Sequence, residues 1–333
     1  MSHSKFKVLI ADDMSKTAFD LLSRHPEISV EVKTGLKGAE LAAAVKGVHA
    51  IAVRSTTKIS AEVVEAADAL KIVGRAGAGV DTIDVPACSK KGILVVNTPG
   101  GNSVTTAEHA LFLLFSLVRH IPQATASVKA GKWEKKKFAG TEIFGKTIGI
   151  IGLGAIGRIV ADRSVGMRMK VIACDPMITK DAAPKHVTDL IAMGVEIVSF
   201  EELIERAQII TVHAPLVAAT RGLIGNAQFA KMRKGVFLVN CARGGIVDEA
   251  AAKRALDDGT LAGLALDVFA EEPPKPDHPL VGDDRVICTP HVGASSHEAQ
   301  ENVAVDVAEQ IVAFLLRGEI GHAVNRDALV AKS

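Results

Sequence analysis

Short runs of β-branched and aliphatic residues alternate with helix-length amphipathic stretches from the start of the chain. A strand is predicted over 7–11, a helix near 17–23, a strand over 30–32 and a helix near 39–45. Strands near 50–53 and 72–74 continue the rhythm. A further strand over 94–96 runs into the Pro/Gly/Asn cluster at 97–102, the composition at which a chain crosses between domains. Strands separated by helix-sized segments pair in parallel through crossovers. A long helix over about 104–119 follows, then a helical segment over 122–131 that ends in a basic run at 132–137. A new α/β rhythm opens at Thr147, with strands near 170–174, 209–212, 236–240, 261–266 and 286–288. The last predicted helix, about 296–316, precedes no strand of any length and is left to pack back on the first domain.

At 333 residues the chain is long enough for roughly two domains, each with a core of ordinary size. Lys and Arg number 39 against 38 Asp and Glu, a net charge of +1. No global field therefore draws the chain to nucleic acid or to an anionic membrane, and an anionic ligand has to be met by cations placed locally. Cys88, Cys174, Cys241 and Cys288 show no C-x-x-C spacing and no secretory signal is read, which predicts reduced thiols in a cytoplasmic protein. No metal site is expected. Mean hydropathy is +0.26, yet the most apolar helical stretch, 110–118, is far short of the ~20 residues that span a bilayer and is predicted to be a buried helix.

The strongest local signal follows the strand that opens at Thr147. The run Gly152-Leu-Gly154-Ala155-Ile156-Gly157 stands between a buried strand and a helix, where a dinucleotide-binding turn stands. Gly152 permits the tight turn, Gly154 lets the backbone approach a pyrophosphate, and Gly157 lets helix and strand pack closely. The helix N-terminus offers unpaired N–H groups to the phosphates. The next strand ends in Asp175, at about the 20-residue spacing of a ribose-binding carboxylate, which accepts from the 2′-OH and repels a 2′-phosphate. NAD is the expected cofactor, in preference to NADP.

Three more segments fall at the ends of predicted strands, where open α/β sheets bind ligands: Asn240-Cys241-Ala242-Arg243, Asp267 to Glu272 with Pro273, and Thr289-Pro290-His291-Val292-Gly293. With the glycine fingerprint before them, these segments make the chain resemble the D-isomer-specific 2-hydroxyacid dehydrogenases, from about Lys7 to about Asn325. Oxidising a 2-hydroxy acid needs a base for the hydroxyl proton and a cation for the carboxylate and developing carbonyl oxygen. His291 and Arg243 suit those roles, and the resemblance implies Glu272 as the partner that orients His291 and stabilises its protonated form. It further implies Asp267 near the nicotinamide carboxamide, and a cofactor cleft lined by His213, Pro215, Thr220, Cys241, Ala242 and Gly293.

The same resemblance implies an α/β architecture of two doubly wound parallel-sheet domains. A Rossmann-type nucleotide domain, 102–294, is inserted into a flavodoxin-like substrate domain made of 1–101 and 295–333. The substrate set is then Arg54 and Ser55 after one strand, Arg75, Gly77, Ala78 and Gly79 after another, and Asn102. Glycine-rich turns expose N–H groups that hold a carboxylate, which leaves Arg54 and Arg75 for a phosphate. The expected small-molecule substrate is D-3-phosphoglycerate or a related 2-hydroxy acid. Two alternatives stay open: a hydroxypyruvate/glyoxylate reductase or other sister dehydrogenase, and an NAD(H)-gated, corepressor-like binding protein.

Departures from the family pattern are few. Ala155 stands where many members carry a basic residue, so one phosphate contact is expected to be missing. The sequence read stops at Ser333, so a serine-binding regulatory domain and feedback by serine are not expected. The segment 122–146 holds the only tryptophan, Trp133, with Lys135, Lys136 and Lys137, and resembles a subunit-embracing arm, implying a homodimer or homotetramer. The loop 273–284 is assigned nothing.

Overall fold

In the computed structural model, which describes residues 5–178 and 183–330, strand and helix alternate through the first part of the chain. The elements are β1 (Phe6–Ile10), α1 (Lys16–Ser23), β2 (Ile28–Val32), α2 (Gly38–Ala44), β3 (Ala50–Val53), α3 (Ala61–Ala66), β4 (Ile72–Arg75), α4 (Val85–Lys90) and β5 (Leu94–Asn97). They form a five-stranded sheet, all parallel, in the order β2-β1-β3-β4-β5. Central β3 is buried along its whole length and edge strand β2 buries only Ile28, as expected when helices cover both faces of the middle of a parallel sheet.

The second part begins with α5 (Ser103–Val118) and α6 (Ile121–Lys129). The sheet elements that follow are β6 (Thr147–Ile151), α7 (Ala155–Gly166), β7 (Lys170–Cys174), α8 (Pro184–Met193), β8 (Val195–Ile197), α9 (Phe200–Arg206), β9 (Ile209–Val212), α10 (Asn226–Phe229), β10 (Val236–Asn240), α11 (Glu249–Asp257), β11 (Leu261–Leu266) and β12 (Val286–Cys288). Seven parallel strands lie in the order β12-β11-β10-β9-β6-β7-β8. The apolar stretch 110–118 is the buried face of α5: Ala110, Leu111, Leu113, Leu114, Leu117 and Val118 join the core with Ile148, Val239 and Ala265. No single helix among the described residues is long and apolar enough to cross a membrane.

The chain then returns through α12 (His297–Arg317) and α13 (Arg326–Val330). Val303, Ala304, Val307, Ala308 and Ile311 of α12 pack in one core with Val8, Ile10, Ala50, Ala52 and Ile72, so the last long helix does cover the first sheet. Beyond it the buried Asn325 accepts from the Val95 N–H at 2.9 Å and donates to Ser89 Oγ and the Ile93 carbonyl. That side chain ties the C-terminal segment to β5, an anchorage the sequence pattern does not predict.

Two units result, Met1–Asn102 with Ser295–Ser333 and, lying between these segments in the chain, Ser103–Ala294. The first has the flavodoxin-like strand order and the second the Rossmann order extended by one strand. The α/β class with two doubly wound parallel sheets, one inserted into the other, is what the chain forms. Strand β8 is the one sheet element absent from the sequence reading. Its central Glu196 is exposed and bound to Arg206 at 2.7 Å, which leaves too short an apolar run to recognise.

Candidate active site

Strand order in the second sheet reverses between β6 and β9, the position at which a doubly wound sheet opens its ligand crevice. The glycine loop lies there. Gly152 takes φ +94, and a Cβ on it would come within 2.5 Å of the His213 carbonyl oxygen at the end of β9. A Cβ on Gly157 would collide with the Gly152 carbonyl, which is how closely α7 packs on the turn. At Gly154 the same construction meets open space, so a ligand can approach bare backbone. Gly154 is also the N-cap of α7 and supplies no side-chain hydrogen bond, leaving the first-turn N–H groups beside Ala155 and Ile156 available to an anion.

Asp175, at the end of β7, accepts from the Leu153 N–H at 2.7 Å and from the Met177 N–H at 2.8 Å. Its carboxylate is thereby turned toward the glycine loop. After β9, His213 Nε2 stands 2.9 Å from Thr211 Oγ1, and burial pushes the imidazole down to about 4, so it is neutral near pH 7. Thr220 Oγ1 accepts from the Val217 N–H at 2.9 Å and donates to the Pro215 carbonyl, closing the turn between them. An open backbone at the phosphate end, an uncapped helix and a carboxylate at the ribose end together fit a dinucleotide.

Strands β10, β11 and β12 end side by side and carry the remaining groups. Asn240 shapes the turn after β10: its Oδ1 accepts from the Ala242 N–H and its Nδ2 donates to the Arg243 carbonyl, both at 3.0 Å. Arg243 is partly buried and one of its nitrogens donates to the Ala242 carbonyl at 2.7 Å. Cys241 is buried, and burial together with the nearby Asp267 charge pushes its thiol far up. A Cβ on Gly244 would collide with the Phe269 carbonyl, so the Arg243 turn lies directly against the segment that carries Glu272.

His291 Nδ1 stands 2.7 Å from Glu272 Oε2, while the other Glu272 oxygen accepts from the Phe269 N–H at 3.0 Å. Both side chains remain partly exposed, at 47% and 37%. The His291 backbone is left-handed, φ +53, uncommon for a residue with a Cβ. Its N–H is held by the carbonyls of Asp267 and Thr289. With Nδ1 engaged by the carboxylate, Nε2 is the nitrogen that can take a proton.

Asp267 is almost fully buried. One oxygen accepts from Thr289 Oγ1 and the Val292 N–H, the other from the Gly293 N–H at 2.8 Å. His109 of α5 stands 3.3 Å from the first oxygen. Burial is the largest single influence on this carboxyl and opposes its ionisation. The bonds from His109, Thr289, Val292 and Gly293 together outweigh it and hold Asp267 below its ordinary value. Sequence reasoning missed His109, because the helix bearing it reads only as apolar.

The proposed substrate residues belong to the first unit and gather at its strand ends. Arg75 ends β4 in register with Val53, the last residue of β3, and Arg54 follows. The buried Asp12 accepts from the Arg54 N–H at 2.6 Å and from Thr57 Oγ1 at 2.7 Å, bridging β1 to β3 where this sheet reverses its order. Arg54 donates to the Asp13 carbonyl at 3.1 Å and Arg75 to the Ala76 carbonyl at 2.9 Å. The turn from Gly77 to Gly79 is pinned by Thr98 Oγ1 on the Gly77 N–H and by Asn97 Nδ2 on the Ala78 carbonyl. Ser55 is exposed and Asn102 half-buried.

Known proteins resemble this chain in sequence and in fold. The chain is 50% identical over 319 residues to a D-3-phosphoglycerate dehydrogenase of Archaeoglobus fulgidus, a match covering 96% of this chain and 59% of that protein. It spans about three fifths of the length of the curated relatives it matches. Among solved structures, the TT0316 protein of Thermus thermophilus superposes with a TM-score of 0.85 at 31% identity, over 96% of this chain and 100% of that one. A D-lactate dehydrogenase of Aquifex aeolicus, complexed with NAD and lactic acid, gives 0.80 at 26% identity, over 96% and 98%. Residues 111–293 match the NAD-binding domain of the D-isomer specific 2-hydroxyacid dehydrogenases. With that match behind the glycine loop and the His291–Glu272 pair, the chain belongs to the D-isomer specific 2-hydroxyacid dehydrogenase family and carries its NAD-binding domain.

Proposed function

We propose that this chain oxidises D-3-phosphoglycerate to 3-phosphohydroxypyruvate with NAD, the entry reaction of the phosphorylated route to serine. The observation that carries the reading is the 2.7 Å approach of His291 Nδ1 to Glu272 Oε2. A neutral His291 donates from Nδ1 to the carboxylate and keeps the Nε2 lone pair for the hydroxyl proton of the substrate. The Phe269 N–H steadies Glu272 through its other oxygen. As the proton arrives, the carboxylate stabilises the imidazolium. Arg243 binds the substrate carboxylate and the oxygen that becomes a carbonyl. NAD, when bound, accepts the hydride that leaves the carbinol carbon. The neutral His213 adds no charge to the cofactor cleft, and Asp267, held ionised, supplies an acceptor for the carboxamide.

In this reading residues 102–294 hold NAD and residues 1–101 with 295–333 hold the substrate, its phosphate met by Arg54 and Arg75. The segment 122–146 would bury apolar surface between subunits of a homodimer or homotetramer: Trp133 is 84% exposed and Phe144 68%. Four cysteines that are all unpaired support a cytoplasmic location.

One spectrophotometric panel tests the proposal: NADH formation with D-3-phosphoglycerate, D-glycerate and D-lactate, and NADH consumption with hydroxypyruvate. D-3-phosphoglycerate is expected to give the highest kcat/KM. A higher value with hydroxypyruvate would make the chain a sister reductase, and no turnover of any of them would favour a cofactor-gated binding protein.

A further inference from the structure

A further His–carboxylate pair joins the start of α11 to the loop 273–284, to which the sequence assigns nothing. Glu249 Oε2 stands 3.0 Å from His278 Nε2, and Glu249 Oε1 accepts from the Ala270 N–H at 2.7 Å. The Leu280 N–H donates to His278 Nδ1 at 3.3 Å. Nδ1 is therefore an acceptor, and Nε2 carries the hydrogen that goes to Glu249. These side chains are 16% and 18% exposed, much less than Glu272 and His291. The His278 ring stands edge-on to Phe269, with centroids 5.7 Å apart and planes at 81°.

The pair joins the three segments that carry the chemistry. Glu249 is the first residue of α11, which follows the Arg243 turn; Ala270 lies just before Glu272; His278 sits in the loop that returns to β12 and His291. Phe269 is fixed on three sides: its carbonyl against Gly244, its N–H on Glu272 Oε1, its ring against His278. Removing Glu249 would free the Ala270 N–H and loosen the segment that holds Glu272 through the Phe269 N–H.

We propose that Glu249 and His278 are positioning residues, holding the segment 268–272 so that the Glu272 carboxylate meets His291 Nδ1. This rests on the reading of His291 and Glu272 as the acid/base pair.

The test measures oxidation of D-3-phosphoglycerate by NAD for Glu249→Ala, Glu249→Gln and His278→Phe, each alone and with Glu272→Gln. A misplacement near 1 Å costs about 100-fold, so Glu249→Ala is expected to lower kcat by about 10- to 100-fold with KM for NAD nearly unchanged. It should move the acid limb of the kcat/KM profile in the same direction as Glu272→Gln. In the Glu272→Gln background it should cost little more, because both changes act on one interaction. Glu249→Gln, whose amide oxygen still accepts from Ala270 but whose NH2 then faces the His278 Nε2–H, should recover only part of the activity. His278→Phe, which keeps the edge-on ring and loses the donor, should fall between them and stands in if Glu249→Ala does not fold. Losses that multiply with those of Glu272→Gln, or an unmoved pH profile, would overturn the proposal. Normal turnover of both Glu272→Gln and His291→Asn would instead overturn the acid/base reading on which it rests.

Discussion

The Leu153 N–H donates to Asp175 Oδ2 at 2.7 Å, which fastens the end of β7 to the middle of the glycine loop. In the proposed reading the carboxylate so held faces the ribose of NAD. Replacing Asp175 with Asn keeps the size, gives up one of the two backbone hydrogen bonds and removes the charge that repels a 2′-phosphate. The NAD:NADP ratio of kcat/KM should then fall by at least about tenfold, the equivalent of ~1.4 kcal/mol. An unchanged ratio in a cofactor titration would mean that Asp175 serves the turn alone.

The acid/base assignment makes a pH-dependent prediction. In the oxidative direction the base must be neutral, so kcat/KM should fall as acid protonates it. His291→Asn should lose at least the ~100-fold of a missing general base. Glu272→Gln should move the acid limb of the profile toward lower pH, because the amide no longer supports the imidazolium. A profile for Glu272→Gln that overlays the wild type would separate the two residues.

Much of this was legible before any coordinates, and the reasons are local. All five residues of β10 are buried, four of them apolar and the last Asn240, and a covered strand of a parallel sheet is written as such an apolar run. Gly152 and Gly157 each meet a steric demand and Gly154 leaves its backbone bare, so their spacing between a strand and a helix states the fold of the turn. What stayed hidden depends on partners far along the chain. His109 meets Asp267 from a helix whose pattern reads only as apolar, and Asp12 reaches Arg54 and Thr57 on another strand. The Glu249–His278 pair closes across a loop with no hydrophobic period to betray its course. Hydrogen bonds of that kind leave no periodicity, because only the fold brings their ends together.

His213 should make the fold sensitive to mild acid. Its imidazole sits at about 4 in the folded chain, against 6.5 ordinarily, because burial disfavours the cation. As pH falls below 6.5 the unfolded chain takes up a proton that the folded chain refuses until near 4, so stability is lost across that window and levels off below it. Chemical denaturation of wild type and His213→Gln at pH 7 and pH 4.5 should show the wild type losing roughly 1–3 kcal/mol more than the variant. Equal losses would mean that His213 is protonated in the folded state.

The single tryptophan gives a direct test of assembly. Trp133 is 84% exposed in one chain, so a subunit interface over 122–146 should shift its emission to the blue as protein concentration rises. Sedimentation should report a multiple of 34.9 kDa, and Trp133→Glu should return the protein to the monomer. A wild-type protein that sediments as a 34.9 kDa monomer at micromolar concentration would exclude the arm.

Substrate identity turns on charge. D-3-phosphoglycerate carries a carboxylate beside the reacting carbon and a phosphate at its far end, so it needs two cationic regions. Arg75 and Arg54, at adjacent strand ends of the first unit, are suited to the phosphate. Arg75 donates to the Ala76 carbonyl, and the planar fork of a guanidinium matches two phosphate oxygens. A charged hydrogen bond contributes about 1.5–3 kcal/mol, which at ~1.4 kcal/mol per tenfold is about 10- to 150-fold in kcat/KM. Arg75→Ala should therefore weaken kcat/KM for D-3-phosphoglycerate by about that factor and change activity with unphosphorylated hydroxypyruvate much less. The substituted Ala also vacates the space over Gly77, where the guanidinium now lies, so a fold effect would reach both substrates alike. Equal losses on the two would assign Arg75 to the carboxylate or to the turn, and the phosphate would have to be met by other cations.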